Sequence, residues 1–315
     1  MAMGLPKPLD VAIQGERGAF SEEAARALLD WPLRIVATPD FAHMFSSVAR
    51  HRAHVCMAPM ENSLVGSIFQ NYDLLLQYGH RVLGEVYIRV EHCLIAPLGT
   101  FFDEVRKVYS HPVALDQCQE FFRRHPGIET ISTYDTAGSV QMLVDRRETA
   151  AAAVAGRAAA ERYNAKILRV GIEDDPSNYT RFFLLGLVDA ELQGLPASFA
   201  RDRTGPVKTS IVFHVENAPG SLHSALAAFA ERGIDLTKIE SRPVRGKPFE
   251  YVFYLDFFGA PDTSPVREAL GALQRQAGFV RILGSYPSGR LDWVGESAPL
   301  LPRPEGPKAD PPNPP

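Results

Sequence analysis

Four short polar segments of the chain carry side chains that could do chemistry. They are residues 15–21, 61–63, 110–112 and 135–137, and each is predicted to lie between the end of a strand and the start of a helix. In open α/β sheets, ligands bind outside the carboxyl ends of the strands, where helix N-termini present unpaired N–H groups and partial positive charge. Four such segments around one cleft would suit a ligand with two carboxylates or a phosphate.

A fifth polar segment, residues 178–182, places a hydroxyl beside a cation. Thr180 can donate a hydrogen bond, and Arg181 carries a fixed charge that can hold a carboxylate through two parallel bonds. Arg181 could equally brace the loop, so both interpretations stay open at this point.

Ser110, His111 and Asp135 allow a hydrolase triad as an alternative. However, the chain has no Gly-x-Ser-x-Gly turn, and the side chains of adjacent residues point apart. Gln117 lies two helical turns beyond Ser110, so both side chains can face one side. Simple helix caps are the structural alternative for these segments, because Ser, Asn and Asp are favoured at N-caps.

The composition limits the class of protein. The 315 residues predict about two domains. With 33 basic and 37 acidic side chains the net charge is −4, which gives no reason to expect nucleic acid or an anionic membrane as a partner. There is no membrane-length apolar run, no apolar signal core, and only three scattered cysteines. We therefore expect a cytoplasmic protein in a reducing compartment.

Short strands and helices alternate along the first region, which predicts an α/β fold with largely parallel sheets. The predicted strands are 9–14, 33–37, 55–59, 84–96, 105–110, 130–133, 150–154 and 182–186. The predicted helices are 21–29, 41–50, 64–78, 112–124, 136–146 and 155–163. We place this domain at residues 9–190, followed by a linker at 191–207.

The second region, residues 208–287, has a different order of elements. The predicted strands are 209–215, 234–243, 250–258 and 280–286, and the predicted helices are 220–231 and 264–277. This βαββαβ order is the ferredoxin-like unit, whose small size favours a docking or ligand-sensing module over a catalytic one. Eight of the last 17 residues are prolines, so we expect a disordered tail at 288–315.

Taken in order, the polar segments resemble the motifs of the prephenate dehydratase family. GERGAFS (15–21) looks like the family's Gly-x-x-Gly-x-Phe-Ser, and PMENS (59–63) looks like its Pro-Ile-Glu-Asn-Ser. SHPVALDQC (110–118) looks like its Ser-His-Pro-Gln-Ala-Leu-x-Gln-Cys. DTA (135–137) looks like its Ser-Thr-Ala, and TRF (180–182) matches its Thr-Arg-Phe. In the second region, NAPGSL (217–222) stands where the family's ACT regulatory domain has Gly-Ala-Leu, and ESRP (240–243) matches Glu-Ser-Arg-Pro. The resemblance covers residues 9–286, nearly the whole expected fold.

The resemblance implies two α/β lobes flanking a cleft, like a periplasmic binding protein of the two-crossover type (type II), followed by a ferredoxin-like ACT domain. It implies that prephenate loses water and CO2 to give phenylpyruvate in phenylalanine biosynthesis. No cofactor and no metal are implied, since aromatisation of the ring drives this reaction. The family also implies feedback regulation by L-phenylalanine, and a homodimer or homotetramer because its effector sites lie between subunits.

The resemblance assigns roles to individual residues. Thr180 is the favoured donor to the leaving hydroxyl, and Glu61 is the alternative proton source. The implied catalytic residues are Thr180, Glu61, Asn62, Ser110 and Gln117, and the implied substrate-binding residues are Ser21, Ser63, His111, Thr136, Ala137, Arg181 and Phe182. The implied L-phenylalanine site comprises Asn217, Ala218, Pro219, Gly220, Ser221, Leu222, Glu240, Ser241, Arg242 and Pro243.

Three positions depart from the family pattern: Met60 replaces Ile, Val113 replaces Gln, and Gly138 stands where Ala is common. Gly138 lies beside the expected substrate and keeps arogenate, the aminated relative of prephenate, as an alternative substrate, alone or together with prephenate. The alternative from another class is a non-catalytic amino-acid sensor, in which Thr180 and Glu61 would have no purpose.

Overall fold

The computed structural model describes residues 7–187, 205–244 and 246–290. The strands are β1 Leu9–Gln14, β2 Leu33–Thr38, β3 Val55–Asn62, β4 Gly66–Ser67, β5 Arg81–Arg89, β6 Cys93–Ala96, β7 Lys107–Ser110, β8 Glu129–Ser132, β9 Ala151–Ala155, β10 Lys166–Val170, β11 Tyr179–Gly186, β12 Val207–His214, β13 Leu236–Pro243, β14 Tyr251–Phe258 and β15 Phe279–Pro287. The helices are α1 Phe20–Leu28, α2 Phe41–Ala49, α3 Phe69–Tyr78, α4 Pro112–Asp116, α5 Gln119–Arg124, α6 Thr136–Arg146, α7 Arg157–Arg162, α8 Ser221–Ala230 and α9 Ser264–Gln276.

The first lobe is built on a sheet with the strand order β2-β1-β3-β11-β5. β1 pairs in parallel with β2 and β3, whereas β11 runs antiparallel to β3 and β5. α1 packs its apolar face on one side of the sheet, and α2 and α3 pack on the other. The carboxyl ends of β1, β2 and β3 therefore open at one edge, beside the start of β11.

The second lobe has a sheet of its own, in the order β10-β6-β9-β7-β8. β7 is parallel to β8 and β9, and β6 is antiparallel to β9 and β10. α6 and α7 cover one face, and α4 and α5 cover the other.

Two segments connect the lobes, residues 90–92 between β5 and β6 and residues 171–178 between β10 and β11. They are bonded to each other, since Val90 N donates to Asn178 O over 2.7 Å. The Glu173 carboxylate accepts the backbone N–H of the facing segment at 2.8 Å. The lobes are thus joined by one paired hinge, which is the two-crossover arrangement.

The C-terminal domain has the βαββαβ order, and its sheet runs β13-β14-β12-β15, all antiparallel. α8 and α9 cover one face of this sheet. The other face packs on the first lobe, where Tyr254 and Tyr286 join Tyr72 and Phe183 in one core. The C-terminal domain therefore lies against the strands that lead to the cleft.

Several elements differ from the sequence prediction. Residues 84–96, predicted as one strand, belong to β5 and β6 in different lobes, because the hinge divides them. The predicted helix 64–78 starts only at Phe69, since Gly66–Ser67 pairs with β3 instead. β10 was not predicted, and both lobes have mixed rather than largely parallel sheets. In the first lobe the antiparallel strand is β11, through which the chain returns from the second lobe, and in the second lobe it is β6.

The predicted helix 112–124 is broken in two. The Asp174 carboxylate accepts the backbone N–H groups of Gln119 and Glu120, each at 2.9 Å, and so caps a new helix after residue 118. The capping residue lies in the hinge, some 55 residues away in sequence. The residues around 118 therefore give no indication that the helix breaks there.

Two predicted segments lie largely outside the described residues: the linker, at 191–204, and the tail, at 291–315. Within the described ranges, no helix is long and apolar enough to cross a membrane.

Candidate active site

A cavity of about 530 Å³ lies between the two lobes, at the edge where β1, β2 and β3 end. Its polar lining consists of Gln14, Ser21, Asp40, Asn62, Gln70, His92, His111, Gln117, Tyr134, Asp135, Thr136 and Thr180. Among the described lining residues there are two carboxylates, Asp40 and Asp135, and neither lysine nor arginine.

Four helix N-termini meet this cavity, two from each lobe. Ser21 of α1, His111 before α4 and Thr136 of α6 come from predicted segments. The fourth, at α2, was not predicted: Asp40 caps it by accepting the His43 N–H at 2.8 Å. An aspartate between a strand and an apolar helix is the signal that could have found it.

Thr180 and Asn62 lie opposite each other on β11 and β3. The Asn62 Oδ1 atom accepts the backbone N–H groups of Leu64 and Val65, each at 3.0 Å, which fixes the orientation of the amide. Its Nδ2 then donates to Asn178 Oδ1 at 2.7 Å and to Thr180 Oγ1 at 3.0 Å. Because the Thr180 oxygen accepts here, its own proton is free to point into the cavity.

His92, in the hinge, lies 2.9 Å from the Gln117 amide oxygen through its Nε2. Burial lowers the pKa of His92, so the ring is neutral at neutral pH. Nδ1 is buried without a hydrogen-bond partner, so we assign the proton to Nε2. This donation leaves the Gln117 NH2 group available to a ligand.

The turn at residues 15–18 of the first lobe contacts the second lobe across the cleft. The Tyr134 hydroxyl donates to Glu16 Oε1 over 2.9 Å. Gly18 has φ +88°, and a Cβ there would lie 2.9 Å from the Ala159 Cα. The glycines of GERGAFS therefore allow a close contact between lobes.

Asp135 caps α6 at the cavity wall and accepts the Gly138 N–H at 2.7 Å. Burial raises the pKa of Asp135, and the backbone hydrogen bonds from Gly138 and Glu16 offset part of this effect.

Seven of the twelve predicted catalytic and substrate-binding residues line the cavity: Ser21, Asn62, His111, Gln117, Thr136, Thr180 and Phe182. Three others serve the fold nearby. Ser110 is fully buried and donates to Val154 O at 2.6 Å, Ser63 donates to Ser177 O at 2.8 Å, and Ala137 packs in the core beneath α6. With its hydroxyl committed to the backbone, Ser110 does not supply the nucleophile of a hydrolase triad.

The last two predicted residues, Glu61 and Arg181, face away from the cavity. Successive side chains of a strand point to opposite faces of the sheet, so Glu61 and Arg181 project away from the side of Asn62 and Thr180. Arg181 pairs with Asp256 at 2.6 Å, and Lys238 pairs with Glu61 at 3.0 Å. Arg181 thus braces a domain contact, and neither residue reaches the cleft.

The two predicted effector motifs lie at the same end of the C-terminal sheet. Residues 217–222 follow β12, and residues 240–243 end β13, which runs parallel to β12 with β14 between them. The side chains of the second motif alternate: Glu240 and Arg242 turn toward the first lobe, where they bond Ser67 at 2.6 Å and Asp73 at 3.0 Å. Ser241 and Pro243 are exposed.

The comparisons with known proteins agree with this architecture. The family model described as prephenate dehydratase matches residues 11–189, and the ACT domain model matches residues 209–275. The chain belongs to the prephenate dehydratase family. One relative, "Arogenate dehydratase/prephenate dehydratase 2, chloroplastic" from Arabidopsis thaliana, is 40% identical over 308 residues, covering 90% of this chain and 78% of the relative.

Two solved structures share the fold over most of the chain. A prephenate dehydratase from Arthrobacter aurescens, in complex with L-Phe, is 28% identical with a TM-score of 0.75, covering 89% of this chain and 90% of the other. A protein described as a novel type of quorum quenching acylase is 32% identical with a TM-score of 0.77, covering 89% and 98%. The predicted two-lobed catalytic domain of type II with a C-terminal ACT domain is confirmed.

Among the described residues, no group of three or more His, Cys, Asp or Glu side chains could hold a metal ion. The three cysteines are buried.

Proposed function

We propose that this chain catalyses the decarboxylative dehydration of prephenate to phenylpyruvate, the step that commits prephenate to phenylalanine. The observation that carries the proposal is the Thr180 hydroxyl in the inter-lobe cavity, whose oxygen accepts a hydrogen bond from Asn62 and whose proton is free to donate.

In this reaction the ring carboxylate leaves as CO2, and its bonding electrons form a ring double bond as the carbon–hydroxyl bond breaks. The hydroxyl takes up a proton and leaves as water. A threonine hydroxyl is a poor acid, so we assign Thr180 the role of a positioned donor, supplied with protons through water. The helix N-termini at Ser21 and Thr136 are placed to bind the side-chain carboxylate, and Gln117 and His111 to hold the ring.

Arogenate is the second candidate substrate, and the charge of the cleft favours it. Arogenate carries an ammonium group where prephenate has a keto group. Asp40 and Asp135 line the cavity without any lysine or arginine among the described lining residues, so a cationic group finds partners there. Gly138 belongs to the same wall, since a Cβ at that position would lie 2.9 Å from the Tyr134 hydroxyl.

L-phenylalanine is the proposed feedback inhibitor, acting through the ACT domain. The Arthrobacter relative is described in complex with L-Phe, and residues 217–222 and 240–243 lie at one end of the ACT sheet here. We also propose a homodimer or homotetramer, and a cytoplasmic location although the Arabidopsis relative is described as chloroplastic.

The proposal is tested by measuring product formation from prephenate and from arogenate, each with and without L-phenylalanine. Phenylpyruvate formed from prephenate, and suppressed by L-phenylalanine, is the expected result. Turnover of arogenate alone would move the assignment to the aminated substrate. Turnover of neither, with L-phenylalanine still bound, would leave an amino-acid sensor and contradict the proposed function.

A further inference from the structure

The strands that carry the candidate catalytic pair are held from behind by the ACT domain. Thr180 lies opposite Asn62, and the next pair in the register is Arg181 opposite Glu61. These two side chains project to the face on which the ACT domain packs. Each meets a partner of opposite charge there, Asp256 for Arg181 and Lys238 for Glu61.

The Arg181–Asp256 pair is shielded from water, since its side chains are 5% and 7% exposed. In the second pair the Lys238 side chain is 10% exposed and the Glu61 side chain 37% exposed, so this pair is partly open to solvent. Arg181 Nε also donates to Glu85 Oε2 at 2.7 Å, so the guanidinium is fixed from two sides. Charges are weakly screened in such surroundings, and a guanidinium paired in this way permits little freedom of orientation.

Rigid peptide groups connect each ion pair to the cleft. One peptide group separates Glu61 from Asn62, and another separates Thr180 from Arg181. Each group is planar, and the pairing of β3 with β11 restricts the φ and ψ angles beside it. A shift of the ACT-domain anchors therefore moves Asn62 and Thr180 relative to a bound substrate. Misplacement of a reacting group by about 1 Å can cost 100-fold in rate.

We propose that Lys238 and Asp256 are positioning residues of the dehydratase: through Glu61 and Arg181 they set the place of Asn62 and Thr180 in the cleft. This inference rests on the proposed function and makes the ACT domain part of the catalytic geometry even without an effector.

The same contact gives the effector a physical route to the cleft. Lys238 lies on β13 two residues before Glu240 and four before Arg242, and all three side chains turn toward the first lobe. β13 also carries the proposed effector motif. An effector that shifts β13 therefore also displaces Lys238 and its partner Glu61, which lies one residue from Asn62.

The first arm of the test observes Thr180 directly, independently of activity. The protein is labelled with ¹³C at threonine methyl groups, and the Thr180 resonance is assigned with Thr180→Ser. We expect Lys238→Met and Asp256→Asn to shift this resonance. Arg81→Met, which removes a different hydrogen bond between the domains (to Ile282 O), is the matched control and should leave it in place.

If Lys238→Met does not fold, Glu61→Gln breaks the same ion pair from its more exposed side. An unmoved Thr180 methyl in both the Asp256 variant and the Lys238 or Glu61 variant overturns the proposal, whatever the enzyme turns over.

The second arm uses rates. We expect Lys238→Met to lower kcat by about 10-fold with KM changed less than about twofold, because the substrate still binds while the donor is displaced. In a Thr180→Ala background the same substitution should change kcat by less than about twofold, since the positioned group is gone. Equal losses in both backgrounds would show a general structural effect and contradict the positioning role.

Glu61→Gln separates positioning from proton donation. As a positioning partner it should match Lys238→Met, and the double variant should lose no more than either single one. A loss from Glu61→Gln about 100-fold larger than that from Lys238→Met would make Glu61 the acid and overturn the inference. A wild-type enzyme that turns over neither substrate would contradict the proposed function but not this inference. The Thr180 methyl resonance would still show whether Lys238 and Asp256 set the position of Thr180.

Discussion

At the scale of single residues, the proposed catalysis depends on the direction of the Thr180 hydroxyl proton. The Asn62 amide is oriented by two backbone N–H groups and donates to Thr180 Oγ1 at 3.0 Å. The Thr180 oxygen therefore already accepts a hydrogen bond, and its proton remains available for donation. A serine in this place would keep the hydroxyl, whereas an alanine would remove the donor and leave an Asn62 N–H group unpaired.

We expect Thr180→Ala to lower kcat by about 100-fold or more, and Thr180→Ser to lower it by less than about 10-fold, since general acid contributions are of that size. Steady-state kinetics with prephenate and with arogenate measure both. Thr130→Ala, at an exposed position of β8 in the second lobe, is the control. Near-normal turnover by the Thr180→Ala variant would contradict the role of Thr180.

The residue types of the site were readable from the sequence, but the directions of two side chains were not. Thr180, Asn62 and Gln117 reach the cleft as predicted. Glu61 and Arg181 adjoin them in the chain, and their strands were predicted to begin or end nearby, at residues 59 and 182. Only strands that extend through Glu61 and Arg181 impose the alternation that turns these side chains to the ACT domain.

At the scale of elements, α6 shows how a helix start serves both fold and cleft. Asp135 accepts the Gly138 N–H and so caps the helix, yet its carboxylate is buried, and burial raises its pKa above the ordinary value. The native state therefore binds the Asp135 proton more tightly than the unfolded chain does. This contribution to stability is present at low pH and is lost as the pH rises through the raised pKa.

Asp135→Asn keeps an oxygen that can cap the helix and removes the titration. We expect the Tm of this variant relative to wild type to increase as the pH is raised from acidic to neutral values. Thermal unfolding of both proteins across that range measures the difference. Asp40→Asn is the comparison, since Asp40 caps α2 at an exposed position and its hydrogen bonds lower its pKa, which predicts the opposite trend. A Tm difference for Asp135→Asn that is constant with pH would refute this reasoning.

Most helices and strands followed from local signals, and the failures share one cause. α6 and the six elements of the ACT domain lie within a few residues of their predictions, because their apolar spacing is regular. The break between α4 and α5 is imposed by Asp174, and the division of residues 84–96 by the hinge. Both depend on contacts between segments distant in sequence, which apolar spacing does not report.

At the scale of the whole molecule, the ACT sheet is covered by its own helices on one face and by the first lobe on the other. Among the described residues, four buried charges lie in this contact: Arg181 and Lys208 face Glu85 and Asp256. The cluster is neutral overall. Because both domains contribute residues to this cluster and to one shared apolar core, we expect the catalytic and ACT domains to unfold together rather than as independent units.

Substitutions of the Lys208–Glu85 pair test whether the balance of charge in this cluster stabilises the contact between the domains. Lys208 Nζ lies 2.6 Å from Glu85 Oε1, and both side chains are at least 94% buried (6% and 0% exposed). Lys208→Met leaves Glu85 short of a countercharge and should lower the free energy of unfolding by about 3–5 kcal/mol.

The double variant Lys208→Met/Glu85→Gln removes one charge of each sign, and Arg181 keeps Asp256 as its partner. It should be more stable than Lys208→Met alone, in which the single charge of Arg181 faces both Glu85 and Asp256, because an excess buried charge costs more than a pair replaced by neutral groups. Urea unfolding of the wild type, both single variants and the double variant measures the coupling. If the double variant loses the sum of the two single losses, the two charges do not depend on each other, which contradicts the argument from charge balance.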